Sequence, residues 1–331
     1  MAFHRVTVWK GDKKESYDLT VQLYSNSILK IRLATKEDKE EVLRFCIDTF
    51  EWGDYIDQVW GLWHSDRNGV LLVAEEEEYS VHNKKQSSVI AVSHASLCPN
   101  KKNVWLEGIR VNPNFRRRSV ATQLLNKMIS YGKKQGAREA SAMVADNNIA
   151  SQLMMERNGF AVISKWSYYS IGKIPKREVT TTRSKIATLK DIEKICNYLR
   201  QSQIFKSSGE RYVNSWRWYS LDLYSNTLAD LIKNEKVLVI GNDPIEGVTI
   251  IDKDRFWNRN NNSTLQIVYL DASNVFILED FISFILNLIH SEGAIYDRIQ
   301  VYSPQTTSVS KVMEELEIER SDQFLLYKRE I

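Results

Sequence analysis

Cysteine is scarce in this chain. Cys46, Cys98 and Cys196 are scattered among 331 residues, odd in number, with no Cys-x-x-Cys or Cys/His spacing. That excludes a disulfide framework and a zinc site, and reads as buried thiols in a reducing compartment. Excess charge of one sign is also missing. Lys and Arg total 45 against 42 Asp and Glu, a formal net charge of +3. A nucleic-acid binder needs a stronger basic bias, so no nucleic-acid partner is expected. No apolar run approaches eighteen residues, and no charged-then-apolar leader opens the chain. The expectation is a cytoplasmic protein with no membrane partner, a monomer or homodimer, and no metal.

The apolar fraction, 43%, is that of a globular protein. The length favours two domains. Residues 3–9 and 17–24 alternate like strands around a polar turn, which predicts a hairpin over residues 1–28. A strand at Leu29–Leu33 follows, and Thr35 to Asp38 predicts a helix start with an acidic first turn. Tyr55–Trp63 is a second helix candidate. Strands are expected at Val70–Ala74 and Val89–Leu97, joined by a charged hairpin over Glu75–Ser88. A further strand, Val104–Val111, ends at the turn signal Asn112-Pro113. Helices at 122–134 and 148–158 and strands at 140–144 and near 160–170 complete an α/β layer set over 29–172.

The polar tract Lys173–Ser184 reads as a linker. Beyond it the order of elements starts again. Residues 185–191 resemble 31–38, Val237–Ile240 resembles Val70–Val73, and Leu265–Leu270 stands where the fourth strand would be. A tandem duplication over 185–331 is one reading, and an unrelated α/β domain is the other. Trp216-Arg217-Trp218-Tyr219 is a dense aromatic group, read either as core between the domains or as a pocket wall.

The most informative segment is Val104–Ala121. A strand runs into Arg116-Arg117-Arg118-Ser119-Val120-Ala121 and directly into a helix. The first turn of a helix presents backbone N–H groups with no intrahelical acceptor, and the helix dipole adds partial positive charge. Three arginines add full charges, so the loop suits a diphosphate. The bland alternative is a solvated charge run at a helix start.

The spacing Arg116-x-x-Ser119-x-Ala121 resembles the Q/R-x-x-G-x-G/A loop of the GNAT superfamily of acetyl-CoA-dependent N-acetyltransferases. A second segment, Asn148 to Phe160, resembles that family's N-x-x-A-x-x-L-Y-E-x-x-G-F stretch. The likeness covers about residues 30–170 and implies a mixed, mostly antiparallel sheet flanked by helices, followed by a degenerate copy of the same fold. It implies that Arg116, Arg117, Arg118, Ser119, Val120, Ala121 and Thr122 hold the CoA diphosphate, that Ile109 and Val111 pair with the pantetheine arm, and that Asn148 contacts it. The acceptor is then a small-molecule or protein amine. Asn148 is alternatively a plain helix N-cap. Two positions depart from the pattern. Ser119 replaces a glycine, so the backbone there keeps φ negative or accepts strain. Met155 replaces the tyrosine often used as general acid.

Glu107, in an otherwise apolar strand, is the candidate base for the amine's proton, with His94 in reserve. The alternative for Glu107 is a structural pair with Arg110 or another cation. Glu51, Trp52, Asp54 and Tyr55 are expected on the acceptor side, with core aromatics and solvated acids as the rival reading. The second copy has Asp271 to Val275 in place of the arginine loop, and is expected to bind no CoA. A non-catalytic acyl-CoA-binding sensor or assembly module is the alternative function.

Overall fold

The computed structural model describes residues 2–10, 13–24, 27–50, 53–79, 85–171, 182–224, 226–254, 263–272, 274–291, 296–315 and 318–331. The chain forms two compact units. The first comprises residues 1–142, 157–159 and 328–331, and the second comprises 143–156 and 160–327.

The first unit opens with β1 (Ala2–Lys10) and β2 (Lys13–Tyr24), paired antiparallel. Then come β3 (Ser27–Leu33), α1 (Lys39–Cys46), α2 (Ile56–Ser65), β4 (Gly69–Tyr79), β5 (Lys85–Leu97), β6 (Asn103–Val111), α3 (Val120–Lys134) and β7 (Glu139–Ala145). The strands order as β1-β2-β3-β4-β5-β6-β7. All neighbours are antiparallel except β6 and β7, which run parallel. β7 has residues in both units, as does the next helix, α4 (Ile149–Arg157).

The second unit continues with β8 (Ala161–Ile171), β9 (Lys185–Ile186), α5 (Ile192–Gln201), α6 (Gln203–Ser207), β10 (Arg211–Asn214), β11 (Arg217–Ser220), α7 (Thr227–Lys233) and β12 (Val237–Ile240). It closes with β13 (Gly247–Asp254), β14 (Ser263–Ala272), α8 (Val275–Ser291), β15 (Tyr296–Pro304), α9 (Thr307–Glu315) and β16 (Arg320–Glu330). Its strands order as β16-β8-β15-β14-β13-β12-β9, and β14 runs parallel to β15. Most of the linker tract 173–184 lies outside the described residues.

Particular hydrogen bonds repeat between the units. In the first, Ala34 N donates to Leu71 O at 2.9 Å; in the second, Ala187 N donates to Val237 O at 2.8 Å. Asp38 accepts from the backbone N–H of Thr35 at 2.6 Å, and Asp191 from that of Thr188 at 2.9 Å. Asp38 is therefore not a solvated first-turn acid. It is buried, and it accepts from Nη1 and Nη2 of Arg32 at 2.7 and 2.8 Å. Burial pushes its carboxyl up, but these donors outweigh burial and hold it below the usual carboxylate range. β5 and β6 pair through a bulge on β6, and β13 and β14 through a bulge on β14. These shared details support descent of both units from one pattern.

Two expectations change. The charged stretch Glu75–Ser88 is largely strand, because β4 runs to Tyr79 and β5 begins at Lys85. Glu76 and Glu77 are buried there, with Arg118 at 2.8 Å and Lys30 at 3.9 Å as counter-charges. A run of four glutamates looks like a loop until those partners come from elsewhere in the chain. The aromatic group at Trp216–Tyr219 has its ring contacts inside the second unit. Trp218 is fully buried against Trp166, Tyr302 and Phe324, and Trp216 lies 5.0 Å from Tyr168.

All three cysteines are free and buried, and burial pushes the Cys46 thiol up to about 12. Among the described residues no helix is long and apolar enough to cross a membrane.

α3 lies over β5 and β6 because Gly132 faces Val104. A Cβ built on Gly132 would stand 2.4 Å from Val104 Cγ1 and 2.8 Å from its Cβ. The contact is made to a rigid β-branched residue in a strand, so neither side yields cheaply. Gly132→Val is expected to destabilise the protein by about 2 kcal/mol, since overpacking outweighs the few tenths gained in helix propensity. The urea unfolding midpoint reads this, and an unchanged midpoint would show that α3 has room to move.

Candidate functional site

β6 carries the centre of the site. Its parallel pairing with β7 runs Asn103↔Glu139, Val104↔Ala140 and Trp105↔Ser141. There it stops, although β6 continues to Val111. A buried hydrogen bond, Asn103 Nδ2 to Ser141 Oγ at 2.8 Å, lies at the closed end. From Leu106 onward the β7-facing edge of β6 has no ladder partner among the described residues. Ile109 and Val111 lie on this open stretch and are partly exposed. An open backbone edge accepts an extended ligand as an added strand.

The other edge of β6 is distorted. Val92 opposes Arg110 and His94 opposes Glu107, so β6 has one residue more than β5 between these pairs. Gly108 takes φ +68° in that interval, as the bulge requires. A Cβ there would also stand 2.3 Å from the Trp63 ring. The bulge turns Glu107 onto His94. Glu107 Oε1 lies 2.8 Å from His94 Nδ1, and Glu107 Oε2 accepts from Trp105 Nε1 at 3.1 Å. An ionised carboxylate can only accept, so Nδ1 is then the donating nitrogen.

His94 is fully buried and stacks on Trp63, with ring centroids 4.8 Å apart and planes within 4°. Its Nε2 lies 3.7 Å from Asp66 Oδ2, which accepts from Ser96 Oγ at 2.7 Å. Gly69 makes room for this, since a Cβ there would meet Asp66 Oδ2 at 2.6 Å and His94 Nε2 at 2.7 Å. A carboxylate on the open strand is thus held by an imidazole, and the imidazole lies between two acids. Glu107 and His94, read separately from sequence, form one unit. Asp66 and Trp105 carry no site signal in the sequence. Their positions depend on chain crossings that no local spacing encodes.

Arg110 does not pair with Glu107. Its Nε donates to Asp54 Oδ2 at 2.7 Å, and its guanidinium lies 5.0 Å from the Phe50 ring and 5.2 Å from Tyr55. Burial lowers the basicity of Arg110, but the hydrogen bond to Asp54 and the Asp54 charge more than restore it. Asp54 is therefore already neutralised. Burial pushes the Tyr55 hydroxyl up, so it stays protonated at neutral pH. Glu51 and Trp52 lie outside the described residues.

The arginine loop enters α3 as the sequence spacing implies, but through strained backbone. Arg117 has φ +64° and Ser119 has φ +58°, the left-handed region. Ser119 sits at the N-cap with no side-chain cap bond, so its value lies in geometry alone. The alternative of a negative φ at Ser119 is not adopted. The first helical bond is Gln123 N to Ser119 O at 3.0 Å, which leaves the N–H groups of Val120, Ala121 and Thr122 without an acceptor inside the helix. Arg118 donates to buried Glu76 at 2.8 Å and lies 5.1 Å from the Phe115 ring, so its position is fixed. Arg116 and Arg117 are exposed. Arg116 also lines a cavity of about 480 Å3 with Arg44, Asp48 and Asn112, to which Glu107 does not contribute.

Asn148 caps α4: its Oδ1 accepts from Ser151 N at 3.1 Å. It belongs to the second unit, as does buried Met155. Among the described residues no group of three or more His, Cys, Asp or Glu could hold a metal ion.

A family model described as Acetyltransferase (GNAT) family matches residues 36–160. An aminoglycoside N(6')-acetyltransferase type 1 of Salmonella typhimurium is 35% identical over 72 residues, which are 22% of this chain and 50% of that one. A histidine N-acetyltransferase of Scomber australasicus is 29% identical over 101 residues, 30% of this chain and 27% of that one. The chain thus spans half or less of the length of these two relatives. A crystal structure of a GCN5-related N-acetyltransferase from Sphaerobacter thermophilus matches with a TM-score of 0.57 at 11% identity, over 93% of this chain and 97% of that one. At that identity the likeness is one of fold, and it extends through both units.

Ser119→Gly is expected to stabilise the protein by about 1 kcal/mol, because glycine removes the left-handed penalty and no side-chain cap is lost. Thermal unfolding measures this. A fall in Tm would mean that the hydroxyl makes a contact outweighing the strain.

Proposed function

We propose, from the match of residues 36–160 to the acetyltransferase (GNAT) family model, that this protein transfers an acetyl group from acetyl-CoA to a primary amine. The amine is that of an amino acid, a small molecule or a protein. One observation carries the reading: the edge of β6 opens after Trp105, and the Glu107–His94 pair stands at that opening.

The residues present fit the donor. The free N–H groups of Val120–Thr122 and the dipole of α3 favour a diphosphate, and Arg116 and Arg117 are exposed beside them. Arg118 contributes charge while tied to Glu76, so its gain is smaller than that of an unpaired arginine. The open edge at Ile109 and Val111 suits the amide groups of a pantetheine arm. Acetyl-CoA supplies the activated thioester, and its amine partner must be neutral at attack, so an arriving ammonium has to lose a proton.

Glu107 takes that proton. The amine nitrogen attacks the thioester carbon, a C–N bond forms and the C–S bond breaks. The N–H proton lost as the amide forms passes to solvent, and the departing sulfur is protonated from solvent. Met155 has no proton to give. His94 holds Glu107 in place and, as an imidazole flanked by Asp66, tolerates the change in charge. The Asp54–Arg110 pair leaves Asp54 poorly placed to bind a cationic acceptor, so its role is to set the α2 entry beside the site.

Glu107→Gln is expected to lower kcat roughly a hundredfold near neutral pH, with CoA affinity almost unchanged. The deficit shrinks as pH rises toward the acceptor's own pKa, where free amine needs no base. Release of free thiol over a panel of amines reads the rate. Normal turnover in Glu107→Gln would remove the base assignment. Tight acetyl-CoA binding with no turnover on any amine would instead make the first unit an acyl-CoA sensor.

A further inference from the structure

A cavity of about 530 Å3 lies wholly within the second unit. α5 and the turn after it form one wall, the β12–β13 turn another, and the end of β14 the floor. Asp271 lines it and is 1% exposed. Tyr198 OH donates to Asp271 Oδ1 at 3.0 Å, while Ser202 Oγ and Tyr269 OH both donate to Oδ2 at 2.6 Å. A carboxylate has about four acceptor positions. These three hydroxyls leave one, on Oδ1.

The hydroxyls are neutral. They lessen the cost of burying the carboxylate but bring no opposite charge. Burial accordingly pushes the Asp271 carboxyl above its ordinary range, against the pull of Ser202, Tyr269 and Tyr198. Lys194, at the rim, does not supply the missing charge. It lies 3.2 Å from Asp243 and donates to Asn242 O at 2.9 Å. With one cation and two acids in its lining, the cavity has a net negative charge.

The fold explains why this site differs from the first unit's. β14 corresponds to β6: each has a bulge against the preceding strand, and each loses its parallel neighbour early, β14 after Ile267↔Val301. In the first unit eight residues, Asn112–Ser119, separate β6 from α3. In the second, residues 273 and 274 alone separate β14 from α8, and no arginine lies there. The diphosphate loop is gone. What persists is the bulged strand, with Glu107 on β6 and Tyr269 and Asp271 on β14.

We propose that this cavity binds a small primary ammonium compound, with the ammonium donating to Asp271 Oδ1. The ligand is bound without a donor beside it, so it is recognised and not acetylated there. The volume suits a molecule between an amino acid and an amino sugar in size. This site stands independently of acetyl transfer in the first unit.

Ile204 and Ile245 also line the cavity, which gives a local reading. The full chain, labelled at isoleucine δ1 methyls, is titrated with n-butylamine, ethanolamine and glucosamine. Butan-1-ol serves as neutral control and acetate as anionic control. At least one amine is expected to shift both methyl signals, and the controls neither. In Asp271→Asn the dissociation constant should rise roughly tenfold or more, the scale of a lost charge-assisted hydrogen bond. Silence of both methyls toward every amine, an equal response to butan-1-ol, a response to acetate, or unchanged affinity in Asp271→Asn would each overturn the proposal. The comparison of amine with alcohol needs only the wild-type chain, so it decides the matter even if Asp271→Asn fails to fold. Loss of activity in Glu107→Gln bears on the first unit and leaves these signals unaffected.

Discussion

The parallel ladder between β6 and β7 lasts three residue pairs, and the first unit's chemistry depends on where it ends. Held together at Asn103–Ser141, the two strands have no ladder pairs from Leu106 on among the described residues, which leaves a stretch of backbone edge open. An unpaired edge is normally a liability that proteins cover or charge. Here a polar group, Glu107, stands at its start and a basic loop at its far end. The bulge at Gly108 joins these features. It adds one residue to β6, which turns Glu107 toward His94 and brings the strand against Trp63. Removing the bulge would shift the face of every later residue on β6.

The two units share a scaffold and differ at one connection. Both keep the Thr–Asp turn at the entry to the first helix, the bulge on the central strand and the early end of the parallel ladder. These are properties of the scaffold. The arginine loop is a property of the connection between strand and helix, and connections change more readily than packed strands. Shortening it to two residues brings α8 directly onto the end of β14, where Leu270, Ile277 and Phe281 share one apolar core. The second unit gained packing where the first holds charge.

Much of this was legible in the residues. The strand, loop and helix around Arg116–Ala121 could be read from spacing, because the periodicity changes from two to 3.6 across a turn signal. The order of elements after residue 184 pointed to a repeat through the likeness of 185–191 to 31–38. What could not be read was partnership over distance. Glu75–Glu78 read as a loop because the counter-charges of Glu76 and Glu77 lie 42 residues later and 47 residues earlier, at Arg118 and Lys30. Glu107 and Arg110, three apart, suggested a pair. The bulge between them sends one to His94 and the other to Asp54. Asp66 carried no signal, since an acid beside an Asn-Gly turn is ordinary in sequence.

Residues 328–331 are grouped with the first unit although more than 150 residues of the second precede them. Ile331 N donates to Arg138 O at 2.9 Å, Arg329 donates to Asn158 O at 2.7 Å, and Lys328 lies 3.3 Å from Glu139. During synthesis, then, the amino-terminal half must wait. Its ribosome-emergent form holds Arg138 and Glu139 without these contacts until residues 328–331 are made, so the unit begun first is completed only after most of the second.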